Sequence, residues 1–286
     1  MDELIRKKIE AKYLINKSWM SQEAFTTFID YKFDRENKSD VLFDTALLHE
    51  RFPNLNSCKI LDAGCGAGDL VINLAKKGID IKGLDMGHED IEIASLKAKK
   101  YNLNPNIFKK QDCSQIPFNS ESFDIVLCIE VLEHTGKYYM DVIREIHRIL
   151  KPGGFAYITI PNKLCPYDTH LNTWIPHWIP KSIRVPYLNR IRGEKALEEN
   201  YLLEYNFFTP KQIKTILNRI FNNCDLNRFY ISFRLKSLSV DSNSSLKKIP
   251  KKLIKKIIQF DTINEFVIGF LCRLYFFQSI KIIAQK

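Results

Sequence analysis

The stretch Leu61-Asp-Ala-Gly64-Cys-Gly66-Ala-Gly68-Asp restricts the fold more than any other part of the chain. It follows the short apolar run Lys59-Ile-Leu-Asp62 and opens a helical pattern from Asp69 to Lys77. Glycines in that position let the backbone turn tightly and let a ligand approach the helix start. The Gly-x-Gly-x-Gly spacing lacks the extra residue that the dinucleotide fingerprint places before its last glycine, and the Lys-Ser/Thr of a phosphate-binding loop is absent. Both departures argue against NAD and ATP. Asp85 ends the next apolar run, where an α/β nucleoside site places a carboxylate to accept both ribose hydroxyls, and the sequence offers no other evident partner for its charge. Asp112, after the third run, is suited to accept from an exocyclic amine. A glycine loop with two acids suits a nucleoside that carries positive charge rather than phosphate.

Short apolar runs alternate with helical patterns from Lys59 onward. Strands are predicted at Lys59 to Asp62, Ile81 to Asp85, around Ile107 and Phe108, at Phe123 to Cys128 and at Phe155 to Ile160; helices fall at 69–77, 89–101 and 138–150. The alternation implies parallel βαβ units, hence an α/β fold with a doubly wound, mostly parallel sheet. Lys151-Pro-Gly-Gly154 reads as a sharp helix stop. Thr209 and Pro210 supply an N-cap and a first-turn proline for a helix reaching about Ile220. Two further strands are expected, near Leu226 to Arg234 and Ser279 to Ala284. The chain therefore divides into a helical N-terminal lid (1–57), a core (58–234) with an insert at 161–208, a basic helical insertion (235–278) and a final core strand (279–286).

Residues 59–160 resemble the core of class I S-adenosylmethionine-dependent methyltransferases. The resemblance rests on Asp62-x-Gly64-x-Gly66-x-Gly68, Gly83-Leu-Asp85-Met86, Gln111-Asp112-Cys113, the run Phe123 to Cys128 with Ile129-Glu-Val-Leu-Glu-His134, and Leu150-Lys-Pro-Gly-Gly154. It implies a seven-stranded Rossmann-like sheet and S-adenosylmethionine as cofactor. By the family pattern the backbone from Gly64 to Gly68 holds the methionine part, Asp85 the ribose, Met86 one adenine face, and Asp112 with the Cys113 amide the adenine edge. Ile129 would touch the sulfonium side. Asp62 has two readings, as a contact to the ligand or as a carboxylate that only holds loop amides. Cys65 reads as a small space-filling residue whose backbone lies beside the cofactor.

The sulfonium methyl is already activated, so a hydroxyl acceptor needs positioning and a base of near-neutral pKa. The 161–208 insert follows the fifth strand, where such a sheet opens its crevice, and contains Pro166-Tyr-Asp168-Thr-His170. His170 is the candidate base, with Asp168 to orient it; the competing reading is a turn cap. The insert loosely resembles those of sugar and lipid-linked methyltransferases. Glu130-Val-Leu-Glu133-His134 resembles the Glu-x-x-Glu-His of ubiquinone-pathway and small-RNA 2'-O-methyltransferases, in which these groups hold Mg²⁺ against a vicinal diol. The same string also occurs in members without a metal, where Glu133 and His134 begin a helix, and the site is read here as metal-free.

The formal net charge of +10 is concentrated, with six lysines between Lys247 and Lys256 and no acid between Asp241 and Asp261. Leu253, Ile254, Ile257 and Ile258 line one face of a helical pattern there and Lys251, Lys252, Lys255 and Lys256 the other. Such a segment favours an anionic membrane surface, with nucleic acid as the competing partner. The first residues lack a secretion-signal pattern and the seven cysteines lack a Cys-x-x-Cys pair, which points to a cytoplasmic protein with reduced thiols. The expected function is O-methylation of a lipid-linked, glycan or prenylated small molecule. RNA 2'-O-methylation with Mg²⁺ is the alternative, and a cofactor-binding scaffold without turnover the third reading.

Overall fold

The computed structural model describes residues 1–14, 20–165, 206–226 and 279–286, with the short pieces 167–168, 173–174, 179–180, 182–183, 186–187 and 190. Among the described residues, α1 (Asp2–Lys12), α2 (Gln22–Phe33) and α3 (Ser39–Arg51) precede the first strand. Ile5 and Ile9 sit one turn apart on α1, as do Phe25 and Ile29 on α2, so each helix buries a single apolar stripe. The stripes meet Ile93, with Ala67 of the glycine loop packed against the cluster.

The strands are β1 (Lys59–Ala63), β2 (Asp80–Asp85), β3 (Phe108–Lys110), β4 (Phe123–Ile129), β5 (Leu150–Pro161), a small hairpin of β6 (Tyr167–Asp168) and β7 (Thr173–Trp174), then β8 (Asn223–Leu226) and β9 (Ser279–Gln285). The main sheet has seven strands in the order β3-β2-β1-β4-β5-β9-β8. Ile60 pairs with Ile81 and Ile125 in parallel register, and β8 pairs antiparallel with β9. Helices α4 (Asp69–Ala75), α5 (His88–Lys100) and α6 (Tyr139–Ile149) make the crossovers. β1 and β4 read as nearly continuous apolar runs because both faces of a parallel sheet are covered.

Contacts divide the chain into two compact units, one of Met1–Ile129, Met140–Ala156 and Lys286, the other of Glu130–Tyr139 and Tyr157–Gln285. In the first, α1 is fastened to α5 by Lys8–Glu92 (2.6 Å), Lys100–Asp2 (3.3 Å) and Lys12–Asp90. In the second, α7 (Pro210–Leu217) opens with a full capping box: the Thr209 hydroxyl accepts from the Gln212 amide (3.2 Å) while the Gln212 side chain accepts from the Thr209 amide (2.9 Å).

Three boundaries differ from the sequence reading. The helix before Lys151-Pro-Gly-Gly154 stops at Ile149 as expected, but β5 begins at Leu150 rather than Phe155, because the Gly153 amide donates to the Lys286 carbonyl (3.1 Å) and the Lys286 amide to the Gly154 carbonyl (3.0 Å). Long-range pairing recruits the helix-stop residues into the sheet. Helix α7 ends at Leu217 rather than Ile220, since Arg219 and Ile220 donate three residues back, to Ile216 and Leu217, in a tightened last turn. β8 begins at Asn223, and residues 227–234 of the expected strand lie outside the described residues, as does the basic insertion of 235–278. Among the described residues no helix is long and apolar enough to cross a membrane.

Thr209→Ala removes half of the capping box and should cost about 1 kcal/mol. Urea unfolding reads this as a lower midpoint at unchanged slope; an unchanged midpoint would show that α7 is held by its buried Ile213 and Leu217 alone.

Candidate functional site

The glycine loop hangs from the carbonyl of Leu84: the amides of Gly64 and Cys65 both donate to it at 2.8 Å. Gly64, Gly66 and Gly68 all have positive φ, at 90°, 51° and 76°. At Gly68 the constraint is double, because a Cβ there would also lie 2.6 Å from the Phe108 ring. A Cβ on Gly83 would stand 2.8 Å from the Cys65 Sγ, so the thiol fills the gap between loop and strand. Burial, followed by the charges of Asp62 and Asp85, pushes the Cys65 thiol far above its usual value, which makes it inert.

Asp85 is not the solitary carboxylate that the sequence suggested. Its Oδ2 accepts from the Gly66 amide (2.8 Å) and its Oδ1 from the Gly87 amide (2.7 Å), so it ties the loop to the turn after β2. A carboxylate has about four acceptor positions, which leaves room for two hydroxyls. Beside it Met86 is 68% exposed although apolar, and Asp112 accepts from the Ser114 amide through Oδ1 (2.7 Å). Cys113 is buried, its thiol pushed up to about 12 by burial and then by Asp85, Asp112 and Asp62. Asp62, Cys65, Asp85 and Cys113 are thus brought together, and Ile129 stands half-buried at the end of β4.

Asp62 is 4% exposed and its Oδ1 has no hydrogen-bond partner. Burial, with Asp85, Asp44 and Asp69 nearby, raises its pKa to about 7. The amides of Gly64, Cys65, Gly66 and Gly68 donate elsewhere, to the Leu84 carbonyl, Asp85 and the Cys65 carbonyl.

A family profile described as methyltransferase domain matches residues 61–158. The ubiquinone biosynthesis O-methyltransferase of Aliivibrio fischeri is 32% identical over 170 residues, which span 53% of this chain and 69% of that protein. The chain belongs to the class I S-adenosylmethionine-dependent methyltransferases. The protein of the same description from Pectobacterium atrosepticum is 28% identical over 176 residues, 57% of this chain and 73% of that one. Two solved structures share the fold: a SAM-dependent methyltransferase from Archaeoglobus fulgidus (TM-score 0.51, 17% identity, 91% of this chain and 99% of that one) and Haemonchus contortus phosphoethanolamine N-methyltransferase 2 in complex with S-adenosyl-L-methionine (TM-score 0.52, 18% identity, 85% and 52%).

S-adenosylmethionine is therefore the cofactor of this methyltransferase, and the residues present fit it. A cationic ligand relieves the buried negative charge, an unpartnered carboxylate oxygen awaits a donor, and Met86 offers an apolar surface for a flat base.

The second unit of the methyltransferase contains another acidic group. Glu130 adopts a left-handed backbone (φ 54°), rare for a residue with a side chain. Thr159 secures it: the Glu130 amide donates to the Thr159 carbonyl (3.0 Å), and the Thr159 hydroxyl donates to Glu130 Oε1 (3.0 Å). Glu133 does not begin a helix but turns inward from a 3-10 turn, 1% exposed, with neither oxygen hydrogen-bonded to a donor. Burial and the neighbouring Glu130 push its pKa far above the carboxylate range. His134 Nε2 lies 3.8 Å from Glu133 Oε1. Asn206, for which the sequence held no signal, donates its amide to the Glu133 carbonyl (2.9 Å) and its side-chain nitrogen to the Leu132 carbonyl (3.3 Å). Among the described residues no group of three or more His, Cys, Asp or Glu side chains is arranged around a metal position. Asp168 forms the hairpin of β6 and β7 opposite Thr173, and His170 lies outside the described residues.

The Asp62 carboxyl sets a pH dependence. With a folded pKa of about 7 against an unfolded value of about 4, the ligand-free fold holds this proton more tightly than the unfolded chain. Its contribution is complete at low pH and is lost as pH rises through 7. Asp62→Asn should raise the melting temperature of the ligand-free protein at pH 8 more than at pH 5, while weakening cofactor binding. Thermal melts across that range check it; a shift independent of pH would mean that Asp62 is already ionised and paired.

Proposed function

We propose that this methyltransferase transfers the methyl group to a hydroxyl of a small lipid-linked acceptor, of prenylated or glycan type, at a membrane surface. The observation that carries the reading is the kinship itself: relatives described as ubiquinone biosynthesis O-methyltransferases align over more than two thirds of their length. In this reading the backbone of Gly64, Cys65, Gly66 and Gly68 and the carboxylate of Asp62 receive the methionine part. Asp85 receives the ribose hydroxyls, Met86 covers adenine, Asp112 and the Cys113 amide meet its edge, and Ile129 borders the sulfonium.

Methyl transfer to oxygen requires removal of one proton from the acceptor. The insert supplies His170, oriented by Asp168, as the base. A second route rests on the buried Glu133, neither of whose oxygens accepts a hydrogen bond. Carboxylate oxygens suit Mg²⁺, so Glu130 and Glu133, with His134 beside them, would hold it only after moving from their present arrangement, which does not converge on a metal position, and it would then polarise the acceptor hydroxyl. On this second route Thr159 holds Glu130 and Asn206 holds the backbone of Glu133.

Transfer of a labelled methyl group from S-adenosylmethionine to membrane extracts tests the acceptor class: label should enter the organic phase, and label confined to water-soluble or RNA fractions refutes it. In the same assay His170→Ala should lower kcat by about 10² to 10⁴. If that variant keeps its rate and EDTA abolishes turnover until Mg²⁺ is restored, the role passes to Glu130, Glu133 and His134.

The membrane part rests on the one-sided lysine face of 246–277, where each lysine near an anionic surface is worth about 1 kcal/mol. Sedimentation with vesicles of graded anionic lipid should show binding that grows with charge and falls when Lys251, Lys252, Lys255 and Lys256 become Glu. Binding indifferent to vesicle charge would remove the membrane from the proposal.

A further inference from the structure

Lys97 is a lysine without water. It lies on the face of α5 that also carries the buried Ile93, Ala94 and Ala98, and its side chain is 1% exposed. All three donors of the ammonium are used: Asp69 Oδ1 at 2.6 Å, Glu36 Oε2 at 2.8 Å and the Lys32 carbonyl at 3.2 Å. Glu36, fully buried, sits in the 3-10 turn Arg35–Asn37 that joins α2 to α3. Its other oxygen accepts from the Tyr101 hydroxyl (2.8 Å), and its carbonyl accepts from the Asn73 side chain (2.8 Å), whose own oxygen accepts from the Thr45 hydroxyl (2.9 Å). Asp69 is 6% exposed and follows Gly68 directly.

Such a cluster is a poor way to gain stability. Stripping three charged groups of water costs several kcal/mol each, and apolar side chains of the same size often do as well. Burial works against the Lys97 charge, yet Asp69 and Glu36 outweigh it and leave its pKa above the ordinary lysine value. What the cluster supplies is a single geometry, because any slip leaves a buried charge unpaired. That geometry converges on the cofactor loop. The Ala94 methyl, one turn before Lys97 on α5, is with the nearer Phe108 ring one of the two walls against which Gly68 is pressed, 2.9 Å from where a Cβ would stand. Helix α5 thus grips two consecutive residues, Gly68 through Ala94 and Asp69 through Lys97.

We propose that Lys97 is a positioning residue for the cofactor, which through Asp69 and Glu36 locks the glycine loop and the turn between α2 and α3 to one register on α5. The proposal rests on the assignment of the glycine loop as the cofactor site and adds to it a buried ion cluster that acts through the loop. Loosening the lock lets the loop sample other shapes, and the cofactor must then spend binding energy to select the right one.

Three variants test it: Lys97→Met; the neutral combination Glu36→Gln, Lys97→Met and Asp69→Asn, which leaves no buried charge stranded; and Glu36→Gln, the mildest change. S-adenosylhomocysteine titrations are run on folded protein well below each melting midpoint, alongside hydrogen exchange of residues 64–69. The expected result is affinity weakened about 3- to 30-fold, faster exchange in the loop, and a KM for S-adenosylmethionine that rises more than kcat falls. The effect should persist in the neutral combination even where its melting temperature equals that of the wild type. Wild-type affinity and loop exchange in the neutral combination would overturn the proposal and leave the cluster as packing. Asp85→Ala, measured in parallel, reads the site itself: if it binds S-adenosylhomocysteine as well as the wild type, the loop assignment fails whatever the Lys97 variants do.

Discussion

Three carboxylates crowd around one glycine loop, and the way each is neutralised organises the first unit of the molecule. Asp69 takes the buried ammonium of Lys97. Asp85 takes two backbone amides, one from the loop and one from the turn beyond β2. Asp62 takes neither, and its carboxyl is left to hold a proton. Burying the unpaired Asp62 beside the half-buried Asp85 costs stability unless positive charge arrives. In the proposed reading the cofactor brings that charge on its sulfonium and amino groups, and Asp62 and Asp85 are the acids that would receive it.

The second unit repeats the pattern with different means. Glu130 is bent into a left-handed backbone and strapped to Thr159, while Glu133 is driven inward without a donor. Strained backbone of this kind persists where its surroundings enforce it and is found where chemistry takes place. Were the acceptor a hydroxyl, as proposed, the proton released would need an acceptor, and the buried Glu133 is a chemically suited one.

Much of this was legible in the sequence because it depends on local spacing. The glycine loop, Asp85 at the strand end, the Thr209 cap and the late strand β9 each announce themselves within a few residues. The failures share the opposite cause. Lys151 to Gly154 ends its helix as its residues announce, but that the same residues also start a strand is decided by a segment more than a hundred residues away in the chain. Asp85 looked solitary because its partners are backbone amides, which leave no trace in residue type. Lys97 interrupts an apolar helix face, a signal visible beside Ile93, Ala94 and Ala98, but its two acids come from distant segments. Asn206 meets Glu133 across a comparable separation. The proposed base His170 and the basic helix fall outside the described residues and stand on pattern and chemistry alone.

The position of β9 also shapes how the sheet comes into being. It is the last strand in the chain but not the last in the sheet, since it sits between β5 and β8. During synthesis the parallel strands β1 to β5 leave the ribosome early, and β5 then presents an open row of amides and carbonyls through the making of more than a hundred further residues. Unpaired edges of this kind recruit other chains. The interval between the emergence of β5 and that of β9 is therefore the period in which a nascent copy is most exposed to misassembly, and the time when a chaperone would do most for it.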